Sequence, residues 1–272
     1  MKVCVITGGG SGMGLEAAKA MPNDRIFLLS GRTIQKLDNA ARLLKANDKQ
    51  AYIMPCDTSD RKQVHELARY AASLGEVTNV IHSAGLSPSM AEPEKLLRVN
   101  ALGTVYVNSE FAKVMKKGVI VDISSNSAYQ LPKFMVPKGI YTLAEKDEAK
   151  FLVKLLRMCR FVKDSYKSSG LAYALSKNFV IWYAKKSAFE YGSCGIRICS
   201  LSPGLIATDM GECEKNEGSS MLRYTAEKRM GTPEELGFAI AMAADERNGY
   251  LTGVDILVDG GSVNGKYYQR KK

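Results

Sequence analysis

Tyr173 and Lys177 stand four residues apart in the stretch AYALSK, residues 172–177. The stretch reads as the start of a helix, where a four-residue spacing puts both side chains on one face, one above the other. An ammonium beside a phenol favours the phenolate and draws its pKa down from about 10. A phenol tuned in this way gives and takes a proton nearer neutral pH. Far upstream, TGGGSGMG (7–14) follows the first apolar run. A strand that breaks into a glycine turn and then a helix offers unpaired N–H groups to a pyrophosphate. Gly8, Gly12 and Gly14 permit the tight turn and the close approach of a ligand to backbone. Their spacing, G-x-x-x-G-x-G, differs from the commoner G-x-G-x-x-G fingerprint.

Both groups need a scaffold, and the chain supplies one in a repeating order. KVCVIT (2–7), RIFLLS (25–30), AYIMP (51–55), VTNVIHSA (77–84), GVIVDIS (118–124), GIRICSLS (195–202) and VDILVD (254–259) are predicted strands. Between them lie segments with apolar residues at helical spacing, among them 60–74 and 93–117. Continuous apolar strands alternating with helices predict an α/β fold, a parallel sheet covered on both faces. No repeat, low-complexity tract or linker divides the chain, so one doubly wound Rossmann domain is expected over residues 1–272.

Residues 126–170 interrupt the rhythm. Within them, Phe151, Leu152, Leu155, Leu156, Cys159 and Val162 share one side of a helix predicted over 148–165. Lys150, Lys154, Arg157 and Lys163 lie largely elsewhere on it. Such a basic amphipathic helix fits three destinations: the domain's own core, a subunit interface or a membrane surface.

Seven motifs in order carry a resemblance. They are Thr7 to Gly14 as T-G-x-x-x-G-x-G; Asp57 in CDTSD; Ala84 and Gly85 in HSAG, with Ser83 where asparagine is commoner; Asn100 in RVNALGT; Ser125 in DISSNS; Tyr173 and Lys177 as Y-x-x-x-K; and Pro203, Gly204 and Thr208 as P-G-x-x-x-T. LTGVDILVDGG (251–261) closes the series. In this order they resemble the short-chain dehydrogenase/reductase family nearly end to end. The resemblance implies an enzyme that interconverts a secondary alcohol and a ketone with a nicotinamide dinucleotide. It implies Tyr173 as proton donor, Lys177 as the group that lowers its pKa and holds the nicotinamide ribose, and Ser125 as hydrogen-bond donor to the substrate oxygen. Asn100 would position a water linking Lys177 to solvent. Ser11, Met13, Asp57, Thr58, Ala84, Gly85, Pro203, Gly204, Ile206 and Thr208 are expected to line the cofactor with the three glycines. His82 is expected to be a packed residue, not a catalyst.

Enzymes that select NAD commonly place a carboxylate at the end of the second strand to accept from the ribose hydroxyls. Here Ser30 and Gly31 occupy that place and Arg32 follows. A guanidinium suits a 2′-phosphate, so NADP(H) is favoured over NAD(H). Ser11, not a basic residue, precedes Gly12.

Tyr173 comes 48 positions after Ser125, a longer separation than most family members show. Loop closure costs grow only slowly with length, so the insertion leaves the site able to form. Together with SGLAYALSKN (169–178), the insertion resembles the 3α-hydroxysteroid dehydrogenase/carbonyl reductase subgroup, which implies a steroid or other apolar carbonyl substrate. A homodimer or homotetramer is implied by the same family. Polar residues about 205–226, with Met210, Met221, Leu222 and Tyr224, are expected to form a substrate lid.

The chain carries 38 Lys and Arg against 28 Asp and Glu, a net charge of +10. The bases are spread along the chain, with concentrations only at 150–167 and 265–272. Nucleic acid is therefore not the expected partner, and an anionic cofactor suits the excess. No run is apolar enough for a membrane span or a signal peptide, and the six cysteines form no CxxC pair. These features point to reduced thiols in a cytoplasmic protein. With two histidines, His65 and His82, no structural zinc site is expected. A dinucleotide-binding regulator or scaffold is the alternative, and its expected signature, a broken catalytic set, is absent.

Overall fold

The computed structural model describes residues 1–208 and 222–269. Among them, β1 (Lys2–Thr7), β2 (Arg25–Gly31), β3 (Gln50–Pro55), β4 (Glu76–His82), β5 (Gly118–Ile123), β6 (Ile196–Pro203) and β7 (Asp255–Val258) form one sheet. The order is β3-β2-β1-β4-β5-β6-β7, and every neighbouring pair is parallel. The predicted doubly wound sheet is therefore present, each strand ending within two residues of its predicted bounds.

Helices α1 (Gly12–Ala20), α2 (Ile34–Lys45) and α9 (Pro233–Ala243) cover one face of the sheet. Helices α3 (Arg61–Leu74), α5 (Gly103–Ala112) and α8 (Ser165–Tyr191) cover the other. Alternation along β1 explains the two layers: Val3 and Val5 belong to the α3–α5–α8 core, Cys4 and Ile6 to the α1–α2–α9 core. The remaining α-helices among the described residues are α4 (Pro93–Leu97), α6 (Lys138–Tyr141), α7 (Glu148–Arg160) and α10 (Ser262–Gln269). None of the described helices is long and apolar enough to cross a membrane.

Three expectations change. The helix predicted over 93–117 ends at Ala112 and is broken by a π turn, Arg98–Leu102, between α4 and α5. The AYALSK stretch lies inside α8, not at its start, because Asp164 caps the helix by accepting from Lys167 N. Ser168 and Ser169 then donate to the carbonyls of Cys159 and Ala91, so the polar run SSG (168–170) stays helical. The basic helix is α7, which ends at Arg160, and its apolar side docks on the domain's own core.

That docking defines the insertion. Phe151, Leu152, Leu155 and Cys159 are buried, and the Phe151 ring lies 5.2 Å from Phe179 of α8. Tyr141 of α6 is buried edge-on to Phe179 at 5.2 Å, and its hydroxyl donates to Leu175 O at 3.1 Å. Glu145 accepts from Tyr183 Oη at 2.7 Å and Lys186 Nζ at 2.8 Å. The insertion thus backs the middle of α8, where Tyr173 and Lys177 sit. Most of the expected lid, with Met210 and Met221, lies outside the described residues. At its end, the Tyr224 backbone packs against Gly265 of α10.

Candidate active site

At the end of β5 the chain turns through Ser124 and Ser125 into a 3₁₀ turn, Asn126–Tyr129. Helix α8 runs beside this turn and is clasped to it. Ser124 Oγ donates to the Lys177 carbonyl at 2.7 Å, and Lys177 Nζ donates to the Ile123 carbonyl at 2.9 Å. The ammonium lies 5.8 Å from the centre of the Tyr173 ring, so the predicted pairing on one helix face is realised. Tyr173 is half-buried, whereas Lys177 is only 6% exposed. Burial draws the Lys177 ammonium down to about 8, opposed by the negative charge of Asp122.

The two serines differ in what holds them. Ser124 is committed to α8, while Ser125 Oγ accepts from Ser127 N at 3.2 Å and has a long 3.5 Å contact to Asn126 Oδ1. Asn100 sits in the π turn, and its side chain clamps the loop after β4. Its Oδ1 accepts from Leu86 N at 2.9 Å and its Nδ2 donates to Leu86 O at 3.0 Å. A Cβ on Gly85 would lie 3.3 Å from both Asn100 Oδ1 and Lys177 Nζ. Gly85, Asn100 and Lys177 therefore converge so closely that a side chain at position 85 would crowd both polar groups.

On the far side of β4 lies the glycine loop. Gly8 and Gly12 adopt φ of +68° and +56°. A Cβ on Gly8 would come within 2.8 Å of Ala84 N, so the loop packs backbone to backbone on HSAG. Ser83 completes this contact by donating from Oγ to Thr7 O at 2.7 Å. Ser11 caps α1 without a side-chain hydrogen bond, and the first turn carries no acidic residue. Thr208 brings its methyl to 3.7 Å from where a Cβ on Gly12 would stand, so the turn after β6 reaches the loop.

The other expected residues lie around this centre. Asp57 follows β3, and its carboxylate accepts from Ser59 N at 2.9 Å and Ser59 Oγ at 2.7 Å. Thr58 is buried against Gly103 of α5, and Met13 packs partly buried on the α1–α2–α9 core. Pro203 ends β6, Gly204 N donates to Val258 O at 2.9 Å, and buried Ile206 bridges to Gly231. Arg32 is exposed at the end of β2. Lys36, in the first turn of α2, packs its Cβ 3.1 Å from where Gly10 would carry one. Sequence reasoning did not single out Lys36, whose place beside the glycine loop depends on how α2 packs. His82 is buried, as expected, and pairs through Nδ1 with Thr7 Oγ1 at 2.8 Å.

All these residues gather at the carboxyl ends of the strands around β1 and β4, where the strand order reverses. Open α/β sheets bind ligands in that crevice. Unpaired N–H groups at the start of α1, a loop too close for side chains and nearby cations fit the pyrophosphate of a dinucleotide.

Comparison with known proteins agrees with this architecture. The short chain dehydrogenase family model matches residues 2–137, and a second, described as enoyl-(acyl carrier protein) reductase, matches 159–263. The unmatched stretch between them holds α6 and most of α7. The short-chain dehydrogenase/reductase bsc3 of Alternaria brassicicola is 29% identical over 95% of this chain and 94% of its own. Sorbose reductase sou1 of Schizosaccharomyces pombe is 28% identical over 96% and 95%. A short chain dehydrogenase from Burkholderia cenocepacia, solved in complex with NADP, superposes with a TM-score of 0.77 at 19% identity, covering 96% of this chain and 97% of that one. The chain accordingly belongs to the short-chain dehydrogenase/reductase family and is an alcohol/ketone oxidoreductase.

Proposed function

We propose that the protein uses NADP(H) to interconvert a secondary alcohol and a ketone, with Tyr173 exchanging the proton at the substrate oxygen. The observation that carries this reading is the buried Lys177 ammonium, held 5.8 Å from the Tyr173 ring at the strand ends beside the glycine loop. In the reductive direction negative charge develops on the carbonyl oxygen. Tyr173 gives that oxygen a proton, and in the oxidative direction it takes the proton back. Lys177 favours the phenolate by its charge and holds the nicotinamide ribose. Ser125, whose hydroxyl is only loosely engaged within its own turn, donates to the same substrate oxygen. Asn100 fixes the wall behind Lys177 and positions a water on the path to solvent. The bound nicotinamide dinucleotide supplies or accepts the hydride.

Arg32 and Lys36 flank the crevice at the β2 end and favour a cofactor carrying a 2′-phosphate. The Burkholderia relative's NADP complex supports the same choice. An apolar ketone or hydroxysteroid is the first substrate class to screen, and a sugar ketone the second, given the sorbose reductase relative. Exposed Phe238 and Met242, one turn apart on α9, fit self-association of the chain.

Fluorescence titration tests the cofactor reading, because Trp182 lies on α8 five residues beyond Lys177. Tight NADPH binding with weaker NADH binding is expected. Preference for NADH would overturn the cofactor choice, and binding of neither would favour the scaffold reading.

A further inference from the structure

A row of polar side chains crosses the apolar sheet just beneath the strand ends. Strand register aligns Ser30, Thr7, His82, Asp122, Ser200 and Asp255 on successive strands. The row faces the α3–α5–α8 layer, as do Leu28, Val5, Val80, Ile120 and Ile198 two residues earlier on β2, β1, β4, β5 and β6. His82 is 2% exposed and Asp122 is fully buried. Towards β7 the row is well satisfied: Ser200 Oγ donates to Asp255 Oδ1 and Tyr129 Oη donates to Asp255 Oδ2, each at 2.5 Å.

The middle of the row is not. His82 Nε2, Asp122 Oδ1 and Asn108 Oδ1 have no hydrogen-bond partner among the described residues. The tautomer of His82 follows from its neighbours. Thr7 Oγ1 accepts from Ala84 N at 3.3 Å and lies 2.8 Å from His82 Nδ1; with the threonine hydroxyl as donor in that contact, the imidazole proton is assigned to Nε2. Asn108 Nδ2 donates to Asp122 Oδ2 at 2.8 Å, which leaves Oδ1 open. An unpaired N–H and an unpaired carboxylate oxygen thus face one way on adjacent strands. Buried polar atoms are rarely left in that condition, and an internal water between two such groups is the usual remedy. Lys177 enters the same region from α8 and is held at Ile123, the residue after Asp122.

We infer that Asp122 is a positioning residue of this site: its carboxylate, joined to His82 Nε2–H by an internal water, keeps Lys177 cationic and Tyr173 ready to ionise. This rests on the roles proposed for Tyr173 and Lys177. The groups that face Lys177 are Asp122 from β5, His82 from β4 and Tyr173 on its own helix. Asp122 is faced by His82, Lys177, Asn108 from α5 and Ser200 from β6, with the charge of Asp255 beyond on β7. Burial raises Asp122 to about 7, against the pull of Asn108 and Lys177, and lowers His82 to about 3. Burial thus raises Asp122 and lowers Lys177, which brings the range where both are charged to around neutral pH.

The test needs no substrate. Phenolate absorbance of the parent minus that of Tyr173→Phe isolates the Tyr173 titration, and the same difference is taken in an Asp122→Asn background. Removing the carboxylate charge lets Lys177 lose its proton at lower pH, so Tyr173 is expected to ionise at a pH higher by about one unit or more. An unchanged midpoint overturns the inference. A crystal structure of the unsubstituted protein gives an independent reading. Ordered water within hydrogen-bond distance of both His82 Nε2 and Asp122 Oδ1 supports the link, and a dry gap there overturns it. A shifted titration combined with an active Tyr173→Phe would leave this coupling standing while removing the proposed proton donor.

Discussion

Ser124 and Lys177 hold each other's segments: the serine hydroxyl donates to the lysine carbonyl at 2.7 Å, and the lysine ammonium reaches back to Ile123 O at 2.9 Å. This clasp ties the end of β5 to the middle of α8 and sets where Tyr173 stands. It also commits Ser124 to the framework and leaves the adjacent Ser125, the proposed donor to the substrate oxygen, outside it.

Substitution should separate those jobs. Ser124→Ala removes the hydrogen bond that clasps β5 to α8 and is expected to lower stability by about 1 kcal/mol. Ser125→Ala is expected to leave melting nearly unchanged and to lower kcat/KM by about 10²–10³-fold, the usual loss for one donor to a developing oxyanion. Thermal melts and turnover of both variants check this. The reverse pattern would move the catalytic role to Ser124.

Stability should depend on pH through Asp122 with an unusual sign. Its carboxyl is raised to about 7 in the folded protein, whereas an unfolded aspartate titrates near 3.8. Between those values the native state binds the extra proton, so this group's contribution to stability falls as pH rises. Asp122→Asn lacks that loss. The melting temperature of the variant minus that of the parent is therefore expected to grow from pH 5 to pH 7, as differential scanning calorimetry would record. A difference that shrinks over that range contradicts the assignment of a raised pKa.

Cofactor choice should respond to the β2 end. Replacing Arg32 and Lys36 together by Asp and Glu is expected to weaken NADPH binding by about 10–100-fold, from the loss of charge-assisted hydrogen bonds. NADH binding should change far less. Parallel titrations with both nucleotides test this, and equal losses would place the two cations away from the 2′-phosphate.

Most of the fold was legible because its strands are nearly continuous apolar runs, such as VCVI and VIVDI, which only a sheet covered on both faces buries. The candidate site was legible wherever chemistry and spacing coincided, as in Tyr173 with Lys177 and in the glycine loop. What stayed hidden depends on contacts between distant segments. The π turn at Arg98–Leu102 carries Asn100, whose clamp on Leu86 no local pattern announces. The early start of α8 depends on serine hydrogen bonds to Cys159 and Ala91. The amphipathic side of α7 fits several partners equally well until Phe179 is seen beneath Phe151. The polar row through His82 and Asp122 appears only once strand register aligns residues 40 positions apart.

The most direct test is turnover of Tyr173→Phe on a ketone reduced by the parent protein, with NADPH affinity measured on the same preparation. Loss of the hydroxyl is expected to lower kcat by about 10²–10⁴-fold, the range of general acid catalysis, while NADPH binds nearly as before. A variant that binds NADPH and turns over within about tenfold of the parent would contradict Tyr173 as the proton donor, because that loss falls short of the general acid contribution.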